Sequence, residues 1–520
     1  ARSTVAPRPR PIRWWPAIVI VIVEIALLVW AWTRDVGSVQ HKVIPTFPIL
    51  FFCTLGLFVW LVLFSRLAGR IRLKIFVGVA VLVGLGFLLL EIKAVDGNFV
   101  PILGFRWTGE RQFQDSVVPP SELATPGATD YPQFYGPGRS ATLPGPRLER
   151  DWSAHAPREL WRRAVGEGLG SFAVVGNAAV TFEQRGENEV IVRHDLRTGD
   201  QVWTHAYHAP FKTTVGGSGP RSTPTLDEGR VYALGASGDL SCLDLETGEK
   251  IWSRNVLTDH DVERPDWGLA SSPLLVDDLV MVQLGNRGNG LAAYDRATGE
   301  PAWRVGDDRG TYTSPVLATV AGKRQVLVVY RKTVAGHDPL SGEVLWEHEW
   351  PNPGGERITM PLVIGEDRVL VSAGYGVGSR MLRVARDGVG LHAELLWESR
   401  RLKSKFAPMV LRDGVVYGLY DGVLVALDPE TGERIWKRGR YGHGQIILVS
   451  DLLVIQAENG DVVVVEATPS GHRELARMQV LNGKTWNHPV VVDGKLLVRN
   501  DEEIACYELP GVPDQVALAE

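Results

Sequence analysis

The chain has 520 residues, 45% of them hydrophobic and 22% charged, with a formal net charge of −5. That length exceeds one ordinary compact core, so several structural regions or a repeat architecture are expected. Charge is split: residues 1–100 carry 11 Lys+Arg against 4 Asp+Glu, and the other 420 carry 44 against 56. An acidic main region binds polyanions poorly, because nucleic-acid affinity rests on Lys and Arg neutralising phosphates, so nucleic acid is excluded as a partner.

Three apolar runs occupy the basic first fifth, at residues 15–32, 47–65 and 75–92. Each is near the ~20 residues that span a ~30 Å hydrocarbon core as helix, and the reading is a three-helix transmembrane anchor. The first run lacks the short apolar core and small-residue cleavage site of a signal peptide and is expected to stay in the mature chain. Arg2, Arg8, Arg10 and Arg13 precede it, and Arg66, Arg70, Arg72 and Lys74 separate the second and third runs, whereas only Arg34 and Lys42 lie between the first two. The positive-inside rule then places the N-terminus in the cytoplasm and everything after Ile92 on the outer side of the membrane. Glu24 falls midway along the first span, where an ionisable group is costly. It is either a protonated carboxyl bonded within the anchor or a contact with another membrane subunit. Ala80 and Gly84, four apart, form a small-residue face that permits close helix approach.

Residues 93–145 are rich in Pro, Gly and Ser without sustained periodicity and read as a periplasmic linker. From 146 to 510 short alternating strands follow one another, as in "RVYALGA", "LVMVQLG" and "RVLVSAG", separated by Gly, Asp and Asn turns. The segments 1–13 and 511–520 read as a basic cytoplasmic tail and a C-terminal tail.

One phrase recurs through the strands: "DLRTGDQVW", "DLETGEKIW", "DRATGEPAW", "DPLSGEVLW" and "DPETGERIW". Trp161, Trp203, Trp252, Trp303, Trp346, Trp397 and Trp436 are spaced by 42, 49, 51, 43, 51 and 39 residues, the period of a β-propeller blade. In each phrase the Asp bonds the turn amides, the Gly supplies a positive φ, and the Trp lies on the outermost strand to wedge against a neighbouring blade. A degenerate seventh unit ends "PSGHRELARM", and the eighth has three C-terminal strands only. The segment 159–165, "ELWRRAV", supplies the missing outer strand. The expectation is an all-β, eight-bladed propeller closed by a Velcro strand, which removes the free edges of the ring.

The tandem DxxTGxxxW units resemble the quinoprotein-type repeat, named for pyrroloquinoline quinone (PQQ). That family includes PQQ-dependent alcohol and glucose dehydrogenases and the propeller lipoprotein of the outer-membrane barrel assembly machinery. "YPQFYGPGR", residues 131–139, resembles the opening segment of bacterial PQQ-like propeller proteins. The dehydrogenases hold quinone and calcium in the central channel, with a catalytic Asp and commonly a disulfide between adjacent cysteines. None of these features has a counterpart here: Cys53 is in a span, Cys242 and Cys506 are a quarter-turn apart, and no CxxCH or zinc-like spacing occurs. No catalytic or metal-ligating residue is assigned and no cofactor is expected; PQQ with calcium is the alternative.

Polar clusters do fall on the loops leading into the blades, at one mouth of the channel. They contribute Arg221, Trp267, Tyr312, Tyr375, Arg380, Arg440, His443, Lys484, Trp486, Asn487 and His488. Such a ring could hold a small anionic ligand by charge and stacking, or it could be the polar lining of any propeller mouth. The functional expectation is a non-enzymatic, membrane-anchored periplasmic propeller. It would be a protein-interaction scaffold, or an accessory or stabilising subunit, of a larger bacterial membrane complex, with other membrane proteins as partners. The alternative is a PQQ-dependent membrane dehydrogenase oxidising an alcohol or sugar.

Overall fold

The computed structural model describes residues 12–510 except 35–37, 108–112, 114–118, 120–126, 128, 214, 286–289, 307, 352–355 and 389. Most of the N-terminal tail, with Arg2, Arg8 and Arg10, and the tail 511–520 lie outside the described residues. The chain divides into two compact units, 1–110 and 111–520.

In the first unit three helices are long and apolar enough to cross a membrane: α1 (Trp15–Thr33), α2 (Gln40–Val59), which runs on to Phe64 as a π turn, and α3 (Gly69–Leu89). The second begins seven residues before the apolar run, because Pro45 and Pro48 sit inside it without ending it. Gly56 of α2 faces Ile20 of α1, whose Cδ1 lies 3.6 Å from where a Cβ would stand, an ordinary van der Waals contact. Arg72 caps the π turn by donating to the carbonyls of Leu67 (2.9 Å) and Val62 (3.1 Å). Nearly all the apolar surface of the three helices is exposed. The third helix stops at Leu89 rather than Ile92, because Leu90 turns extended and pairs with Phe105 in a hairpin of Leu90–Val95 with Pro101–Phe105. This hairpin is a departure from the expected structureless linker.

The second unit is the eight-bladed propeller. Seven blades of four antiparallel strands occupy residues 173–208, 225–255, 274–305, 316–349, 362–399, 410–440 and 445–479, the last with Thr142–Leu143 added as a fifth, parallel strand. The eighth, 490–508, takes its outer strand from Arg158–Ala164, which pairs antiparallel with Glu503–Glu508 as the Velcro reading expects.

The repeated phrase acts as a joint between blades. The glycine φ values lie between 70° and 76° at Gly199, Gly248, Gly299, Gly342 and Gly432. A second reason for glycine was not legible in the sequence: the indole of the preceding blade lies directly on it. A Cβ on Gly248 would stand 2.6 Å from the Trp203 ring, and one on Gly199 2.4 Å from Trp161. The indole Nε1 then donates to a carbonyl of the same turn: Trp161 to Leu196 (2.9 Å), Trp203 to Leu245 (2.9 Å), Trp252 to Arg296 (3.0 Å) and Trp397 to Pro429 (2.9 Å). Each of the eight blades has a register shift between its third and fourth strands, beside the Trp or its replacement. A bulge of this kind re-aims a side chain, and here it sets the indole against the next blade. The free thiols of Cys242 and Cys506 stand opposite Trp252 and Trp161 as small buried hydrophobes.

Blade 5 has no TG turn, and Trp346 of blade 4 uses another acceptor, Gln325 Oε1 of its own blade at 2.5 Å. In its place blade 5 grows a longer outer hairpin, Gly378–Arg386 with Leu391–Ser399.

Each blade presents one edge of its first strand to the axis. Residues 131–143 of the expected linker cover several of these edges. Tyr131 exchanges two backbone hydrogen bonds with Val174 of blade 1 (2.9 and 2.8 Å), and the Pro132 carbonyl accepts from Leu226 of blade 2 (2.8 Å). Thr142 and Leu143 run parallel to Leu448 and Val449 of blade 7. Between these contacts Arg139, 3% exposed, donates to the carbonyls of Pro315 (2.8 Å), Ser272 (2.9 Å) and Pro273 (2.7 Å) of blades 3 and 4. Composition suggested a tether because Gly and Pro dominate the stretch; its Tyr, Phe and Arg make it part of the propeller core.

Candidate functional site

The loops leading into blades 2 to 4 end in Ser/Thr-Pro, at 223–224, 272–273 and 314–315, and the role of these hydroxyls is structural. The Ser171 amide donates to Thr223 Oγ1 (3.0 Å), the Thr223 amide to Ser272 Oγ (2.9 Å) and the Ser272 amide to Ser314 Oγ (2.9 Å), a belt of hydroxyls running from blade to blade. Asn487 continues it by donating to the carbonyls of Gly168 (3.0 Å) and Gly170 (2.5 Å) across the Velcro seam.

Above this belt the predicted mouth residues fall into three groups, with Arg380 apart from them. Arg221, Asn487 and His488 are staples. Arg221 donates to the carbonyls of Trp267 (2.7 Å), Gly216 (3.0 Å), Gly217 (2.9 Å) and Gly219 and lies over the Phe211 ring at 4.3 Å. Burial lowers its pKa to about 10, which leaves it a cation. His488 packs against Tyr131, Phe134 and Tyr135 at ring distances of 5.8, 5.3 and 4.8 Å, and burial lowers its pKa to about 4, so it is a neutral ring of the channel lining. Arg380 forms a separate tie between blades, pairing with Glu398 at 2.8 Å and donating to the Glu349 carbonyl at 2.8 Å.

Trp267, Tyr312, Tyr375 and Trp486 supply the aromatic surface. Trp267 and Tyr312 lie 5.5 Å apart, and burial raises the Tyr312 pKa to about 12. Trp486 donates to Glu458 Oε1 at 2.8 Å.

Arg440, His443 and Lys484 belong to a cationic sector of blades 6 to 8, whose other members sequence reasoning missed: Lys403, Lys405, Phe406, Lys437, Asp421 and Glu458. The signal was available in "RLKSKF", residues 401–406, two lysines flanking a serine. That loop has no Trp, His or Gly cluster to draw notice. Burial, with Lys405 and Arg440 nearby, lowers the His443 pKa to about 3. Burial lowers Lys437 to about 8 and raises Asp421 against four neighbouring cations.

Glu189 was also missed. Burial raises its pKa to about 7, yet both oxygens accept hydrogen bonds, from the Ala236 amide (2.9 Å) and Tyr207 Oη (2.8 Å), which makes it a clamp between strands.

The residues present do not fit the quinone and calcium site of the dehydrogenases. Among the described residues no three of His, Cys, Asp and Glu come together as metal ligands. The three thiols are free and buried, and two of the acidic side chains of the mouth, Asp421 and Glu458, stand among lysines and indole N–H rather than beside an open chelating set.

Comparison with known proteins matches the fold. The family described as outer membrane protein assembly factor BamB matches residues 186–438 and 392–509. BamB of Shewanella oneidensis is 24% identical over 371 residues, covering 59% of this chain and 89% of that protein. The crystal structure of BamB from Moraxella catarrhalis superposes with a TM-score of 0.51 at 17% identity, covering 68% of this chain and all of the other. A europium-containing methanol dehydrogenase superposes with a TM-score of 0.56 at 11% identity, covering 71% of this chain and 89% of that one. At these identities the structural likeness speaks for the propeller fold alone. The family match covers more than half of the residues and follows the repeat joint described above, so this chain belongs to the BamB-type family of PQQ-like β-propellers.

Proposed function

We propose that this protein is a membrane-anchored periplasmic propeller that binds other membrane proteins as a scaffold or accessory subunit of a larger bacterial complex and turns over no substrate. The observation that carries the reading is the first unit. One helix suffices to hold a domain at a bilayer, whereas here three apolar helices leave nearly all their surface uncovered. Helix α3 buries none of its residues, and nothing stands within 4 Å of a Cβ built on Gly84. The Ala80 and Gly84 face is therefore open for a second helix to approach closely. Glu24 has no hydrogen-bond partner among the described residues, which favours a partner in another membrane chain over one within the anchor. The BamB relatives carry the name of an outer-membrane assembly factor, and an accessory role in a multi-protein membrane assembly is the likeness we draw from them. The inner membrane is our placement, from the charge asymmetry of the spans.

Protease access tests the orientation. In spheroplasts added protease should degrade the propeller and spare a tag at residue 1; in inverted vesicles it should remove the tag and spare the propeller. The opposite pattern contradicts the reading.

A further inference from the structure

Five cations converge on one sector of the mouth. Lys403 and Lys405 in the loop leading into blade 6 are each 4% exposed. Lys403 Nζ lies 4.9 Å from the centre of the Tyr420 ring and Lys437 Nζ 3.2 Å from the same ring. Lys405 Nζ lies 4.8 Å from both Tyr375 and Phe406, and Lys484 Nζ lies 4.1 Å from Trp486. Phe406 and Trp486 are 4.9 Å apart, which joins the Lys405 end of the cluster to the Lys484 end. The charges of Lys403, Lys405, Lys437 and Arg440 all bear on Asp421. The other carboxylate of the sector, Glu458, already accepts from Trp486 Nε1 (2.8 Å) and the His443 amide (2.9 Å). Five cations of this sector thus stand with the carboxylates of Asp421 and Glu458.

Lys484 is the most informative of the five, because its Nζ is buried without a hydrogen-bond partner among the described residues. A desolvated ammonium is costly unless paired, and an aromatic face compensates it only in part. An anion supplies the rest, through charge-assisted hydrogen bonds in a site of low local dielectric.

The geometry points to an anion site in this sector, formed by Lys403, Lys405, Lys437, Arg440 and Lys484, that takes a small oxyanion carrying two or more negative charges. Phosphate esters and polycarboxylates share that chemistry. Lysines predominate over arginines, and several rotatable point charges suit a rounded or multiply charged anion better than one planar carboxylate. The aromatic rings act as supports for the ammonium groups, with their faces turned to the cations. The site goes beyond the scaffold reading, since no residue of the membrane helices takes part in it.

The test is calorimetric titration of the full chain in detergent at fixed ionic strength, with pyrophosphate and citrate as probes and chloride as the monovalent reference. At least one probe should bind with a stoichiometry of one per chain. Lys484→Met keeps an apolar stem over Trp486 and removes the buried charge; it should weaken binding at least about tenfold and raise the melting temperature of the anion-free chain. Lys437→Gln should weaken binding without needing that rise, and Arg324→Gln, at an exposed pair with Asp277 on another blade, should leave binding unchanged. Tighter pyrophosphate assigns a phosphate ligand, and tighter citrate a polycarboxylate. Absence of binding by either probe at millimolar concentration, or affinity unaltered in both Lys484→Met and Lys437→Gln, overturns the proposal.

Discussion

Replacing residues 158–164 by a Gly/Ser stretch of equal length should leave the propeller unable to close, and the full chain in detergent should aggregate or melt far below the parent. The replacement strips the outer strand from blade 8 and exposes the edge of Glu503–Glu508. It removes Trp161, 5% exposed and seated on Gly199 of blade 1. It also removes Arg162, which ties Glu503 (2.6 Å), Tyr507 Oη (2.7 Å) and the Val480 carbonyl (2.9 Å) across blades 7 and 8. Losing the indole alone costs about 3–5 kcal/mol, a large part of the ~5–15 kcal/mol that stabilises an ordinary domain. Circular-dichroism melting with size-exclusion chromatography reads the outcome. An unchanged melting curve would mean that the seam is not where the ring closes.

Trp252→Ala should destabilise the propeller by about 3–5 kcal/mol in denaturant unfolding. The indole is 8% exposed, packs on Gly299 of blade 3 and donates to the Arg296 carbonyl. Trp303→Phe offers the contrast. The Trp303 Nε1 is buried without an acceptor among the described residues, so removing that N–H relieves an unsatisfied donor while an aromatic ring remains on Gly342. The Phe variant should cost much less than Trp252→Ala. Equal losses at the two positions would contradict the reading that the buried ring, rather than the N–H, carries the stability at Trp303.

The ring and its closure were legible because the repeat states the same physical requirement several times. Asp, TG and Trp at fixed spacing imply a turn, a reversal and an outward indole, and their period counts the blades. What the repeat could not convey was the partner of each residue in the next blade. Gly248 reads as a turn glycine, and only the structure shows Trp203 lying on it. The channel segment was illegible for a related reason: Tyr131, Pro132 and Arg139 bond to strands tens to hundreds of residues away, and local composition carries no trace of that. Blade 5 broke the phrase, and its substitute, the Trp346 to Gln325 bond, has no spacing rule to find it by.

The mouth was legible in part. The lead-in loops do carry most of the named residues, but Tyr375 falls in the hairpin between the second and third strands of blade 5 and Arg380 in its third strand, because the glycines of that stretch turn a hairpin rather than open a blade. Sequence could not separate Arg221, whose guanidinium is bound to carbonyls, from Lys484, whose ammonium has no acceptor among the described residues. Nor did "RLKSKF" stand out, since two lysines in a loop are ordinarily solvated; their burial arises from packing against Tyr375, Phe406 and Tyr420. In the first unit the apolar runs placed the helices, and the hairpin after Leu89 was concealed because its first residues continue the apolar run of α3.

The measurement that bears most directly on the central claim is the composition of the particle extracted in mild detergent through a tag on the full chain, compared between the parent and Gly84→Leu. A membrane protein should come in near-stoichiometric amount with the parent and be lost from Gly84→Leu with the propeller's melting temperature unchanged, because the bulkier side chain stands on the open face of α3. A parent chain that runs without any partner, or one that reduces a dye with an alcohol or sugar once PQQ and calcium are added, would contradict it.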